Sequence, residues 1–131
     1  SLTENSSIHE TLSYAARASI AILGIGSTDP ASSPYFLAGY ISKADLQGLL
    51  DCGAKGDVCG IFFDKDGNIT NPELQRRVIG IKPSQLKAIP IRLGIAGGIE
   101  KAVPILGALR GGFINILATD ARTAQAILAI I

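Results

Sequence analysis

The sequence predicts an α/β domain organised around a parallel sheet, and three observations point there. Short, continuous runs of β-branched and aliphatic residues recur, at Ile20 to Ile25 and again at Ile91 to Ala96. Such runs suit strands covered on both faces, which is how parallel strands are placed. Between them lie segments whose aliphatic residues repeat at helical spacing, and the two signals alternate along the chain. That alternation builds right-handed parallel crossovers.

Taken in order, Ser7 and Glu10 stand at the spacing of a capping box and predict a helix running to about Ser19, with Ile8, Leu12, Ala15 and Ala16 on one stripe. The strand Ile20 to Ile25 follows and gives way to a loop at Gly26-Ser27-Thr28-Asp29-Pro30. Ser42 and Asp45 form a second capping signature, ahead of a short helix carrying Leu46, Leu49 and Leu50 that Gly53 closes. Val58 to Phe63 reads as one strand, ended by the turn Asp64 to Asn68. Asn71-Pro72 caps a brief helical turn, and Val78 to Ile81 reads as a short strand. Ile91 to Ala96 is the next strand, Gly97-Gly98 a tight turn, and Ile99 to Arg110 a helix. Pro104 conflicts with the interior of that helix, where it would cost roughly 3 kcal/mol, so the helix starts late or kinks. Ile114 to Ala118 is the last strand, and Asp120 caps a final helix from Ala121 to about Ile130.

A length of 131 residues fits a single domain. Lys and Arg number 12 against 11 Asp and Glu, without a run of like charge, which disfavours phosphate-backbone attraction and nucleic-acid contact by these residues. No apolar run approaches the roughly 20 residues that cross a bilayer, and the polar beginning of the chain is unlike a secretory signal, so the cytosol is the expected compartment. Cys52 and Cys59, with a single His, do not make a zinc pattern and predict buried, reduced thiols. The reading calls for no cofactor and no metal.

In an open parallel sheet, ligands gather beyond the carboxyl ends of the strands. Four places qualify. Gly24 to Thr28 brings small residues and hydroxyls, with Gly26 and Ser27 at its centre, and serves equally as an ordinary turn. Asp57, beside Gly56, is either a turn residue or a carboxylate for sugar hydroxyls. Gly97 and Gly98 open a helix whose first turn carries Lys101, which fits an anion site and a structural turn equally well. Thr119-Asp120 is the fourth, where Asp120 is either a helix cap, which explains it fully, or a ligand-binding carboxylate. His9 stands alone, and Arg76-Arg77 is a solvated pair or a contact to phosphate or a partner subunit. No constellation for covalent catalysis is present: Gly-x-Ser-x-Gly is absent and neither Cys has an activating context.

Three linked motifs then stand out: Gly56-Asp57-Val58-Cys59-Gly60-Ile61-Phe62-Phe63-Asp64, Gly97-Gly98-Ile99-Glu100-Lys101-Ala102, and Thr119-Asp120-Ala121-Arg122-Thr123-Ala124. In order and spacing they resemble the end of the sugar-binding domain of SorC-type transcriptional regulators. The resemblance implies Rossmann-like layers similar to glucosamine-6-phosphate deaminase and ribose-5-phosphate isomerase, with the enzyme pocket turned into a sensor. It implies an effector that is a phosphorylated sugar or related metabolite, a phosphorylated autoinducer among them. Carried over, Asp57 holds ligand hydroxyls, Lys101 with Gly97 and Gly98 holds ligand oxygens or phosphate, and the loop from Ser27 to Ser33 closes one side. It further implies that residues 1–131 are the C-terminal portion of an effector domain, hence an incomplete domain, that operator DNA is met only through a helix-turn-helix domain absent from this chain, and that the protein is a homo-oligomer. The competing readings are a sugar-phosphate isomerase or deaminase of the same fold and a purely structural oligomerisation domain.

Overall fold

The computed structural model describes residues 2–131. After a short 3₁₀ turn at Leu2–Glu4, helix α1 runs over Ser6–Ala16. Its cap is Asn5, whose Oδ1 accepts from the backbone N–H groups of Ser7 and Ile8 at 3.0 and 3.4 Å. The capping box expected at Ser7 therefore does not form, and a one-way cap two residues earlier takes its place. Asn is as good an N-cap as Ser, and with Asn5 as the cap Ser7 falls inside the first turn of the helix.

A three-stranded parallel sheet in the order β1-β5-β6 forms the frame, built from β1 (Ile20–Gly24), β5 (Ile91–Ile95) and β6 (Ile116–Ala118). Ile20 pairs with Ile91, Ile22 with Leu93, and Leu93 with Ile116, so these side chains share one face. That face is uncovered: Ile20, Ile22, Ile91, Ile95 and Ile116 are all exposed, Ile22 to 70%. Here the expectation of strands covered on both faces is corrected. Among the described residues the helices line only the other face, where Leu23 joins one buried cluster with Ile105, Ile114 and Ile127.

Val58 to Phe63 is not one strand. It folds as an antiparallel hairpin of β3 (Gly56–Val58) and β4 (Ile61–Phe63), and β3 also pairs antiparallel with β2 (Gly26–Ser27). Cys59 and Gly60 both take positive φ, 53° and 75°, the twist a two-residue hairpin needs. Both faces of this hairpin are buried. Ile61 and Phe63 belong to the cluster against α6 (Ala102–Arg110), while Phe62 enters a second cluster with Leu46 and Leu49 of α3 (Lys43–Asp51) and Leu74 of α4 (Pro72–Arg76). A run apolar on both sides has no alternation to mark where it turns back.

The Ser42–Asp45 capping box forms as read, with Asp45 N–H donating to Ser42 Oγ at 3.1 Å and Ser42 N–H to Asp45 Oδ2 at 2.9 Å. Between β2 and α3 lies a one-turn helix, α2 (Pro34–Leu37). The short strand expected at Val78 to Ile81 is absent; the segment is irregular and leads into α5 (Pro83–Ala88). Its β-branched residues find no strand to pair with. The helix after β5 does start late: Ile99–Lys101 is a 3₁₀ turn, α6 follows, and Pro104 falls in the first turn, where its missing N–H costs nothing. The chain ends with α7 (Ala121–Leu128). Both cysteines are exposed, against the expectation of buried thiols: Cys52 ends α3 and Cys59 sits at the hairpin tip. Arg76 and Arg77 bond Glu73 and Asp45, at 2.7 and 2.6 Å, on the surface.

Candidate functional site

Strand alternation and the hairpin register bring the predicted residues together from separate parts of the chain. Asp57 is paired with Gly26 on one side and Phe62 on the other, so its side chain leaves the hairpin on the Phe62 face. A Cβ on residue 26 would lie 2.0 Å from Asp57 Oδ1, and only glycine lets the carboxylate rest there. Lys101 reaches the same place from the turn ahead of α6, its Nζ donating to the Ile25 carbonyl at 3.0 Å. One β strand, one hairpin and one helix entrance thus converge on a carboxylate and an ammonium.

Asp57 is only 5% exposed, and this burial pushes its carboxyl up to about 6. Three groups act against the shift: the Gly60 N–H, which donates to Oδ2 at 3.3 Å, the Tyr35 hydroxyl, and the Lys101 charge. Tyr35 is itself pushed up to about 12, by burial first and then by the charge of Asp57. Partial desolvation at the hairpin turn, and then the Asp57 charge, also raise the Cys59 thiol although the residue as a whole is exposed. The site is therefore a partly desolvated cluster in which a carboxylate can accept hydroxyl protons and an ammonium retains two further donors.

Gly97, Gly98 and Asp120 form a neighbouring cluster. The Gly98 N–H donates to Thr123 Oγ1 at 2.8 Å, and that hydroxyl donates to Asp120 Oδ2 at 2.7 Å. Asp120 Oδ1 also accepts the Thr123 N–H at 2.9 Å, the helix cap read from the sequence. These bonds hold Asp120 below the usual carboxylate range. They also occupy the Gly98 amide, so this glycine turn is braced by its own helix. Two shallow clefts meet at Glu100: one of about 250 Å³ lined by Ser27, Thr28, Asp29, Lys55, Glu100 and Pro104, and one of about 310 Å³ lined by Gly98, Glu100, Asp120, Arg122 and Thr123. Asp57 lines neither. Ser27 is buried, its Oγ accepting the Asp29 N–H at 3.0 Å, and Ser33 is buried at the start of α2, lining neither cleft. A larger cleft of about 370 Å³, beside His9, Gln75 and Lys82, lies apart from this cluster.

Tyr35 and Thr123 are the residues that sequence reasoning passes over. Thr123 stands within the third motif, three residues after the cap, and that spacing was its signal. Tyr35 has none, since only folding brings α2 onto the hairpin.

With that geometry in place, the comparison with known proteins is decisive. Residues 1–129 match the family described as "Putative sugar-binding domain". The chain belongs to that family. It is 39% identical over 129 residues to the transcriptional regulator LsrR of Escherichia coli O139:H28 (strain E24377A / ETEC), covering 97% of this chain and 41% of that protein. LsrR of Enterobacter sp. (strain 638) is 35% identical over 131 residues, 98% of this chain and 41% of the relative. Among solved structures, a DeoR family transcriptional regulator from Listeria monocytogenes superposes with a TM-score of 0.89 at 31% identity, over 96% of this chain and 51% of that one. The full-length sorbitol operon regulator SorC from Klebsiella pneumoniae gives 0.87 at 31%, over 97% and 41%. The SorC-type resemblance and the Rossmann-like α/β layers are thereby borne out. This sugar-binding-domain chain spans about two fifths of the length of the LsrR relatives and about half of the Listeria chain.

Proposed function

We propose that this chain is the C-terminal portion of the effector-binding domain of a DNA-binding transcriptional regulator, and that its effector is a small phosphorylated sugar or related metabolite. The observation that carries the reading is the meeting of Asp57 and Lys101 beside the glycine of β2. A polyol needs an acceptor for its hydroxyls and a phosphate needs a cation, and here both stand within one cluster. Gly26 leaves room for the Asp57 carboxylate, Ser27, Thr28, Asp29 and Pro30 line one nearby cleft, and Gly98 and Asp120 line the other; Gly97 and Ser33 join the proposed site through the family resemblance. Relatives named as transcriptional regulators support a sensor over an isomerase or deaminase. Operator DNA would be met by a helix-turn-helix domain outside residues 1–131, and the cytoplasm is the compartment this role requires. Among the described residues no helix is long and apolar enough to cross a membrane.

Thermal denaturation with a panel of five- and six-carbon phosphosugars tests the reading. A bound effector at 100 times its Kd stabilises by about 2.7 kcal/mol, and the unphosphorylated sugars are expected to give a much smaller shift. Turnover of a phosphosugar would move the assignment to an isomerase or deaminase. No shift with any member would leave the oligomerisation reading.

The isoleucine face of the parallel sheet favours a homo-oligomer, since parallel sheets are covered on both sides. Light scattering at high concentration is expected to give at least a dimer, and Ile22→Lys, which places a charge mid-face, is expected to shift the population toward monomer.

A further inference from the structure

Among the described residues, Asp57 is the only buried side chain that carries a formal charge. A buried carboxylate is costly unless donors meet it, and the donors decide where its oxygens point. The Gly60 bond is long at 3.3 Å, and Lys101 spends one of its donors on the Ile25 carbonyl. The Tyr35 hydroxyl stands at the same hairpin turn, beside Gly60, as a further donor for this carboxylate.

The placement of Tyr35 is fixed twice over. Its ring sits edge-on to Phe62 at 5.6 Å between centroids, and Phe62 is the cross-strand partner of Asp57, so ring and carboxylate share one face of the hairpin. Its carbonyl accepts the N–H groups of Tyr40 and Ile41 at 2.9 and 3.4 Å, which ties α2 back onto the loop leading to α3. The hydroxyl lies so close to the hairpin turn that a Cβ on residue 60 would stand 3.5 Å from it. A phenylalanine would keep the ring contact and the backbone bonds equally, so packing alone does not need the hydroxyl.

We infer that Tyr35 is a positioning residue: its phenol O–H, delivered by α2, aims the Asp57 carboxylate toward Lys101 and the β2 backbone, the orientation in which it meets a ligand. The inference rests on the reading of Asp57 as a ligand acceptor. The titratable groups facing Asp57 are Tyr35 from α2, Cys59 from the hairpin turn and Lys101 from the turn ahead of α6. At neutral pH the phenol and the thiol stay protonated, because burial and the Asp57 charge raise both. The titration between pH 5 and 8 then belongs to Asp57.

Tyr35→Phe keeps the ring and removes the donor. Side-chain carbon-13 NMR of Asp57 against pH, which needs no ligand, is expected to show its titration moving upward from about 6 by about half a unit or more. An unchanged midpoint overturns the inference. Calorimetry with D-fructose 6-phosphate and D-ribose 5-phosphate adds the functional arm. The affinity loss is expected to be about twofold or more greater at pH 6 than at pH 8, because the variant's carboxyl is more fully protonated at pH 6. An equal loss at both values indicates packing and overturns the positioning role. If neither phosphosugar binds the wild-type chain, the sensor reading fails, while the NMR midpoint still decides whether Tyr35 governs Asp57.

Discussion

Asp57→Asn is expected to stabilise the free chain above pH 7 while reducing its affinity for a phosphosugar by roughly 10–100-fold. Both effects come from one buried charge. Burial raises the carboxyl from its ordinary value of 3.8 to about 6. The folded chain therefore holds that proton more tightly than the unfolded chain does. The stabilisation this brings is fully present below about pH 4 and is lost as pH rises through about 6. A shift of about two units corresponds to about 3 kcal/mol, so the ionised site at pH 8 is a strained one by that order. Asparagine has no charge to bury, and its amide oxygen can still accept from Gly60 N–H and the Tyr35 hydroxyl, although it gives up the attraction to Lys101. Urea unfolding at pH 8 is expected to show a gain of about 1–3 kcal/mol, shrinking toward zero at pH 4. The affinity loss follows because hydrogen bonds to a charged acceptor contribute about 1.5–3 kcal/mol. Destabilisation at pH 8 would mean that the Lys101 attraction outweighs burial. Unaltered affinity would remove Asp57 from the ligand.

The features legible in the sequence are those set by neighbours along the chain. The Ser42–Asp45 box, the Asp120 cap and the placement of Pro104 in a first turn depend on a few adjacent residues, and each stands where local chemistry puts it. The hairpin does not, because Cys59-Gly60 lacks the Asn-Gly signal and both faces of Gly56 to Phe63 are buried. Val78 to Ile81 shows the opposite error: strand propensity without a partner strand yields an irregular segment. The same division runs through the site. Asp57, Lys101 and Asp120 stand in motifs and can be read directly, and Thr123 lies one helical turn beyond the Asp120 cap. Tyr35 is visible only after α2 folds across the hairpin. The exposed isoleucines are read correctly as strand and incorrectly as covered, since composition reports what a residue favours and not whether the covering layer lies within the described residues.

Gly107→Ala is expected to destabilise the chain by up to about 2 kcal/mol and to weaken the same ligand site, although alanine is the better helix former. In an unconstrained helix the change gains about 1 kcal/mol. Gly107, however, faces the hairpin: a Cβ there would stand 2.6 Å from the Asp64 carbonyl oxygen and 3.1 and 3.2 Å from the Phe63 ring. The carbonyl is backbone and cannot rotate away, so the hairpin must lift from α6, at an overpacking cost of about 1–3 kcal/mol or more. Gly56 makes the other contact of this seam, meeting Pro104 where a Cβ would come within 2.8 Å. Because β3 carries Asp57 and the turn ahead of α6 carries Lys101, lifting the hairpin separates the two charges. Gly48→Ala is the matched control. It lies in α3, where a Cβ would meet only Asn71 Nδ2, at 3.6 Å, and there the helix-forming gain of about 1 kcal/mol is expected to survive. Denaturant midpoints of the two variants should therefore move in opposite directions. If both rise together, helix propensity governs both positions and the close seating of the hairpin on α6 is not what holds Asp57 beside Lys101.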